Sequence, residues 1–254
     1  MKGGLGIIAR LGSTRLPDKH LNTINNIPVT QYLIDRIVSH FNNEIIKGGL
    51  EVSLLTGAKS SNQKLADVFF DNGLKVFFGS DNNIPLRIFQ AMQEFNWDYI
   101  ISIDGDDIFC STDGMKQVHT LLMSGTSYVI TKGLPFGMNS MGLNRSFVKN
   151  AIKRVNHSNL ETGWGWVFDK DTVEEVNYSY DFPKYLRFTL DYCEDLEFFK
   201  AIIQKEIDWK SISDKKLINL VLDNKLYLYN KDLMDEYWNN FYNEQNFEKG
   251  KQNG

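Results

Sequence analysis

Cysteine is nearly missing from this chain: Cys110 and Cys193 are the two thiols in 254 residues. They stand too far apart to form a metal-ligand pair motif, and two cysteines make no disulfide framework at this length. A surplus of cations is also lacking, with 28 Lys and Arg against 32 Asp and Glu and a formal net charge of −4. A protein that grips a nucleic-acid backbone needs such a surplus to displace counterions, so nucleic acid is excluded as a general partner. Any anionic ligand must therefore be met by cations clustered locally. No apolar stretch approaches the roughly 20 residues that cross a bilayer. No charged-then-apolar leader opens the sequence. Internal repeats and low-complexity segments are absent as well, which excludes solenoids and arrays. These absences together lead to the expectation of a cytoplasmic protein in a reducing compartment, without a membrane partner.

What is present is an alternation of short apolar runs and amphipathic stretches, with hydrophobic residues at 42%. Strands are expected over residues 5–9, 50–56, 74–78, 99–103 and 127–131, and helices over 29–41, 62–71, 84–95 and 114–123. Strands separated by helices of this length need crossover connections, which favours a three-layer α/β domain with a mostly parallel sheet. The rhythm loosens after Thr131. Residues 132–184, rich in Gly, Pro and Met at first and carrying Trp164 and Trp166, are expected to form a small lobe or lid for a second substrate. A strand over 185–190 would return to the sheet, followed by helices over 194–204 and 231–242. The domain is expected to close near residue 246, with 247–254 a flexible tail.

Two clusters carry chemistry. The first is Arg10-Leu11-Gly12-Ser13-Thr14-Arg15-Leu16-Pro17-Asp18-Lys19, which follows directly on the first strand. Gly12 permits a tight turn, Ser13 and Thr14 carry hydroxyls, and Arg10, Arg15 and Lys19 can neutralise phosphate oxygens. Strand ends on one edge of an α/β sheet form its usual ligand crevice. A lone Arg or Lys there would read as a solvated loop residue; three together suit a polyphosphate. Upstream, Gly4-Leu5-Gly6-Ile7-Ile8-Ala9 formally matches a dinucleotide fingerprint, yet its glycines enter the strand instead of following it. The second cluster is Asp104-Gly105-Asp106-Asp107 at the end of the fourth strand. One aspartate there would be a turn former or cap. Three repel one another and call for a cation, and magnesium prefers one or two carboxylates together with phosphate oxygens and water.

The first cluster, from Ala9 through His20, resembles the signature loop of the cytidylyltransferases that activate 3-deoxy-manno-octulosonate and sialic-type acids, and most of all their spore-coat polysaccharide biosynthesis relatives. Ile8 and Asp18 depart from that pattern, which has Pro or Gln and Gly there. The resemblance implies a single Rossmann-like domain of the nucleotide-diphospho-sugar transferase type. It implies CTP as donor, with Arg10, Arg15 and Lys19 on the triphosphate and Ala9, Leu11, Gly12, Ser13 and Thr14 completing the cradle. Asp106 matches one metal ligand of the family, and Leu190-Asp191-Tyr192-Cys193-Glu194-Asp195-Leu196 is similar to the segment holding the other, which falls on Asp191. Mg²⁺ on Asp106 and Asp191 is the implied cofactor, and Asp104 is expected to bind substrate. Thr56, Gly57, Ser80 and Arg87 align with segments that hold cytosine and ribose. A homodimer is expected by the same analogy.

The acceptor is less legible. Asn139, Ser140 and Asn144 stand where relatives carry acidic residues. Lys132, Arg145, Lys149, Lys153, Arg154 and His157 could make a basic pocket for a small acidic acceptor, or a solvated helix face. Trp164 and Trp166 could line that pocket or pack the lobe. His20, His40 and His119 have no triad or metal spacing. The expected reaction is transfer of CMP to a sugar acid, phosphonate or phosphorylated small molecule, for a surface polysaccharide or capsule precursor. A glycosyltransferase using Asp104 and Asp106, or a non-catalytic nucleotide-binding module, are the alternatives.

Overall fold

The computed structural model describes residues 1–70, 73–154 and 159–250. Strand β1 (Gly3–Ile8) lies inside the sheet and is buried along its whole length. Its Leu5 and Ile7 pack into one helical layer and Ile8 into the other. A Cβ at Gly4 would come within 2.1 Å of Trp97, and one at Gly6 within 2.5 Å of Ile100. These glycines make room for core side chains, so the dinucleotide fingerprint is a packing feature.

A short hairpin, β2 (Thr23–Ile24) and β3 (Ile27–Pro28), leads into α1 (Val29–His40) and α2 (Asn42–Ile46). Then follow β4 (Leu50–Thr56), α3 (Lys59–Phe70), β5 (Lys75–Phe78), α4 (Ile84–Glu94), β6 (Tyr99–Asp104), α5 (Thr112–Met123) and β7 (Tyr128–Lys132). The chain continues through β8 (Met141–Asn144), α6 (Arg145–Arg154), β9 (Glu174–Asn177), α7 (Cys193–Lys205), α8 (Asp214–Asp223) and α9 (Leu233–Gly250). Helix starts follow local chemistry: Asn83 accepts from the Leu86 N–H at 2.9 Å with Pro85 in the first turn of α4, and Ser111 accepts from Gly114 at 2.8 Å to begin α5.

The seven-stranded sheet runs β5-β4-β1-β6-β8-β7-β9. Strands β5, β4, β1 and β6 are parallel, β8 is antiparallel to both neighbours, and β9 is parallel to β7. Helices α1, α3 and α5 cover one face, while α4, α6 and the segment around Trp164 cover the other. A third apolar cluster joins Tyr32 of α1 to Phe109, Phe188 and helices α7 and α8. This is the expected α/β domain with a mostly parallel sheet. Among the described residues no helix is long and apolar enough to cross a membrane.

Four expectations need correction. Residues 141–144 form a strand inserted between β6 and β7, where Gly142 lets Val118 and Leu122 of α5 approach closely. Residues 185–190 do not join the sheet; Arg187 forms an isolated bridge to Phe136, which lies outside the strands. Their alternation is real, since Leu186, Phe188 and Leu190 enter the third cluster while Thr189 faces the cleft. The last helix runs through Gly250, past the expected start of a tail at 247, because buried Glu248 accepts from the Thr162 N–H at 3.1 Å. Helix α3 begins at Lys59, earlier than expected. Its expected end, Asp71, lies outside the described residues, as do His157 and residues 251–254.

Candidate active site

In the register of β1 and β6, Ile8 stands opposite Asp104, so the two chemical clusters leave the sheet side by side. Gly105 closes the junction, since a Cβ there would sit 2.9 Å from Ala9 Cβ and 3.0 Å from the Ile8 carbonyl oxygen. The loop after β1 is held by its backbone. The Leu11 N–H donates to Asn62 at 2.8 Å, Ser13 Oγ accepts from Leu16 at 3.3 Å, and Gly12 adopts φ 101°, a conformation that disfavours side chains. Asp18 takes φ 52° where the resembled loop carries glycine, and Asp tolerates that region better than most residues. Its carboxylate turns out to Lys64 at 2.6 Å, leaving Lys19 to face inward.

The loop, β6, the segment before α7 and helix α9 enclose a cleft of about 730 Å³. At one end the Lys19 ammonium contacts Asp106 and lies 3.1 Å from Asp191. Arg15 reaches the same Asp191 oxygen at 3.0 Å. Behind them Arg187, fully buried, bonds Asp191 at 3.3 Å and Asp195 at 3.0 Å. Asp195 also accepts the N–H groups of Asp191 and Tyr192 at 2.9 and 3.0 Å, which fixes the turn presenting Asp191 at the start of α7. Burial opposes the charge on Asp191, but Lys19, Arg15 and Arg187 outweigh it and hold its carboxyl below the ordinary range. Enclosure on the cleft floor and repulsion from Asp106 push Asp104 up to about 7, although its side chain is open to cleft solvent. Buried Asp107 is raised further by burial and both neighbouring aspartates. Beneath this end, Thr30 donates to the Gly105 carbonyl at 3.0 Å, so His20 Nδ1 donates to Thr30 at 3.1 Å. Burial and the adjacent Lys19 push His20 down to about 4, which makes it a neutral support.

The other end is built from guanidiniums. Arg10 Nε lies 2.8 Å from Glu161, and Arg87 lies 2.7 Å from the other oxygen of the same carboxylate. Helix α9 lines the cleft with Tyr237, Trp238 and Phe241, and Trp164 and Trp166 line it too. The Tyr237 ring sits 5.1 Å from the Arg187 guanidinium and 5.7 Å from that of Arg15, within cation–π range.

Of the residues expected from sequence, Ala9, Arg10, Gly12, Ser13, Thr14, Arg15 and Lys19 line the cleft, and so do Arg87, Asp104, Asp106, Trp164 and Asp191. Leu11, Thr56, Gly57, Ser80 and Asn139 do not line it. Leu11 anchors the loop through its N–H, Thr56 is fully buried at the end of β4, and Gly57 leaves room for Asp81, which accepts from Ala58 at 3.0 Å. Ser80 gives its carbonyl to Arg87 at 2.8 Å, and Asn139 bridges its own turn by bonds to Thr131, Leu134 and Pro135. Of the two readings of the basic residues, the solvated face holds among the described ones: none of Lys132, Arg145, Lys149, Lys153 and Arg154 lines the cleft. Lys132 pairs with Glu175, Arg145 with Asp98 and Arg154 with Asp169, while Lys149 and Lys153 are exposed on α6. Asn144 caps α6 by accepting from Phe147 at 2.8 Å, and buried Ser140 lies off the cleft too. Sequence reasoning missed Glu161, Thr189, Arg187 and the aromatic face of α9. The density of Tyr237, Trp238, Phe241 and Tyr242 on a polar C-terminal helix was a signal for the last of these.

Cations on the loop after a central parallel strand, faced by aspartates from a neighbouring strand end, define a nucleotide-handling α/β transferase. Residues 6–217 match the cytidylyltransferase family, and the chain belongs to that family of nucleotidyltransferases. The glycosyltransferase and non-catalytic alternatives give way to this assignment. The spore coat polysaccharide biosynthesis protein SpsF of Bacillus subtilis is 25% identical over 225 residues, spanning 85% of this chain and 92% of that protein. The structure of a cytidylyltransferase from Leptospira borgpetersenii superposes with TM-score 0.77 at 22% identity, covering 91% of this chain and 98% of the other. A CMP:2-keto-3-deoxy-manno-octonic acid synthetase complexed with CTP shares the fold at TM-score 0.59 and 14% identity, over 81% of this chain and 99% of that one.

Proposed function

We propose that this enzyme transfers CMP from CTP to a small acidic acceptor, releasing pyrophosphate, in the synthesis of a surface polysaccharide precursor. The observation that carries the proposal is the convergence of Lys19 on Asp106 and Asp191 beside the Arg10 to Arg15 loop. The likeness to a spore coat polysaccharide biosynthesis protein supports the polysaccharide role. Trp164, Trp166, Trp238 and Phe241 line the cleft, and their apolar rings suit a sugar-like acceptor.

In this reaction an acceptor oxygen forms a bond to the α-phosphorus of CTP as the bond to the bridging oxygen of pyrophosphate breaks. Lys19 holds the α-phosphate, and Arg10 and Arg15 hold the departing phosphates. Asp106 and Asp191 would hold a divalent cation, since these two carboxylates already share one positive charge, the Lys19 ammonium. When bound there, Mg²⁺ supplies further neutralisation of phosphate oxygens. Arg187 and Asp195 keep Asp191 in place throughout.

The deciding experiment measures pyrophosphate release from each nucleoside triphosphate in the presence of sugar acids, phosphonates and phosphorylated amino compounds. CTP paired with one acidic acceptor is the expected combination. Release from another nucleotide in preference to CTP, or from none across the panel, sinks the proposal.

A further inference from the structure

Glu161 has no part in the transfer just described, although its carboxylate lies inside the cleft. That single carboxylate spans Arg10 and Arg87, which come from different elements, at 2.8 and 2.7 Å. Arg87 is fully buried and is aimed by the carbonyls of Ser80 and Asp81, both at 2.8 Å. Its NH1, also buried, has no hydrogen-bond partner among the described residues. A guanidinium fixed in a protein wall loses hydration, and one shared carboxylate offsets that loss only in part. Burial leaves Glu161 above its ordinary range and Arg87 below its own. The backbone around Glu161 is pinned, with the Leu160 N–H on the Asn82 carbonyl at 2.7 Å and the Thr162 N–H on Glu248.

We infer that Arg10 and Arg87 form a seat for a two-oxygen anion of a substrate, a carboxylate or a phosphate group, which Glu161 occupies until the ligand displaces it. The proposed cytidylyl transfer supplies the candidate ligands; the seat itself rests on the geometry. An internal carboxylate keeps two guanidiniums converged that would otherwise repel. It is also a competitor, so the apparent affinity of a ligand is lowered by the fraction of protein in which the seat is filled. Arg10 keeps 40% of its side-chain exposure, so the seat is open on the solvent side, where a ligand enters.

The test is calorimetric titration of the full chain and its Glu161→Ala and Glu161→Gln variants with inorganic pyrophosphate, CTP and a sugar acid. Removing the competitor is expected to tighten binding of the ligand that uses the seat by about tenfold in Glu161→Ala. The isosteric Glu161→Gln, which keeps the packing if the alanine variant fails to fold, is expected to shift in the same direction by less. Adding Arg10→Ala to either variant is expected to abolish the gain. A gain for pyrophosphate and CTP assigns the seat to the triphosphate, and a gain for the sugar acid alone assigns it to the acceptor. Unchanged or weaker binding of all three ligands overturns the inference, since Glu161 would then be a brace or a ligand contact. Failure of cytidylyl transfer would leave a gain for pyrophosphate intact, so the two readings fail separately.

Discussion

The two ends of the cleft are built from the same kinds of ion pair with opposite balance. At the Lys19 end, Asp106 and Asp191 share one ammonium, Arg15 reaches Asp191 as well, and Arg187 reinforces Asp191 from behind. At the Arg87 end, one carboxylate serves two guanidiniums. At the first end two carboxylates share one ammonium; at the second two guanidiniums share one carboxylate. The two ends thus differ in which sign of charge is shared, and a group of that sign is what a ligand would have to replace or supplement. The proposed complex of a triphosphate and a divalent cation would satisfy both ends at once.

The largest expected effects lie at the carboxylate end. Lys19→Ala or Asp106→Ala is expected to lower the rate of pyrophosphate release by roughly two to three orders of magnitude, measured at saturating CTP. Near-normal turnover in either variant would remove those residues from the chemistry. Next comes the buried support. Arg187→Met leaves Asp191 and Asp195 without their shared guanidinium and is expected to cost about 3–5 kcal/mol in urea unfolding. A loss under about 1 kcal/mol would show that the other bonds to Asp195 suffice.

Acidity sharpens the comparison by a smaller amount. The folded state depresses His20 from 6.5 to about 4. Below pH 6.5 the unfolded chain gains a proton that the folded chain refuses until about pH 4. Stability is thus expected to fall as pH drops through that window, by on the order of 3 kcal/mol from this group. Unfolding free energies of a His20→Gln variant should lose that part of the slope; an identical slope would refute the assignment. The smallest effect belongs outside the cleft. Lys64→Ala breaks the exposed pair with Asp18, and a change in stability above about 1 kcal/mol would be inconsistent with a solvent-screened contact.

Much of the site was legible in sequence because it is local. Arg10 to Lys19 and Asp104 to Asp107 each lie on one short loop beside a strongly apolar strand, so composition alone placed them at a strand end. Asp191 was reached through its similarity to a family segment. The strand Met141–Asn144 was not legible, since four residues containing a glycine carry too little periodicity to register. Residues 185–190 misled for a physical reason: alternation reports that one side of an extended segment is buried, and it does not report which neighbour buries it. Arg187 falls on the polar side of that alternation, yet it is fully buried and supports the site. Glu161 was invisible as a site residue because its partner Arg87 lies 74 positions away.

By itself the sequence determined the α/β alternation, the cationic loop after the first strand and the aspartates at the fourth, since these depend on residue types within one turn or one strand. Only the tertiary structure decided that Lys19 stands between Asp106 and Asp191, that Glu161 joins Arg10 to Arg87, and that helix α9 supplies the aromatic wall. Those pairings depend on desolvation and on distances between groups far apart in the chain, which exist only after the sheet has brought its strand ends together.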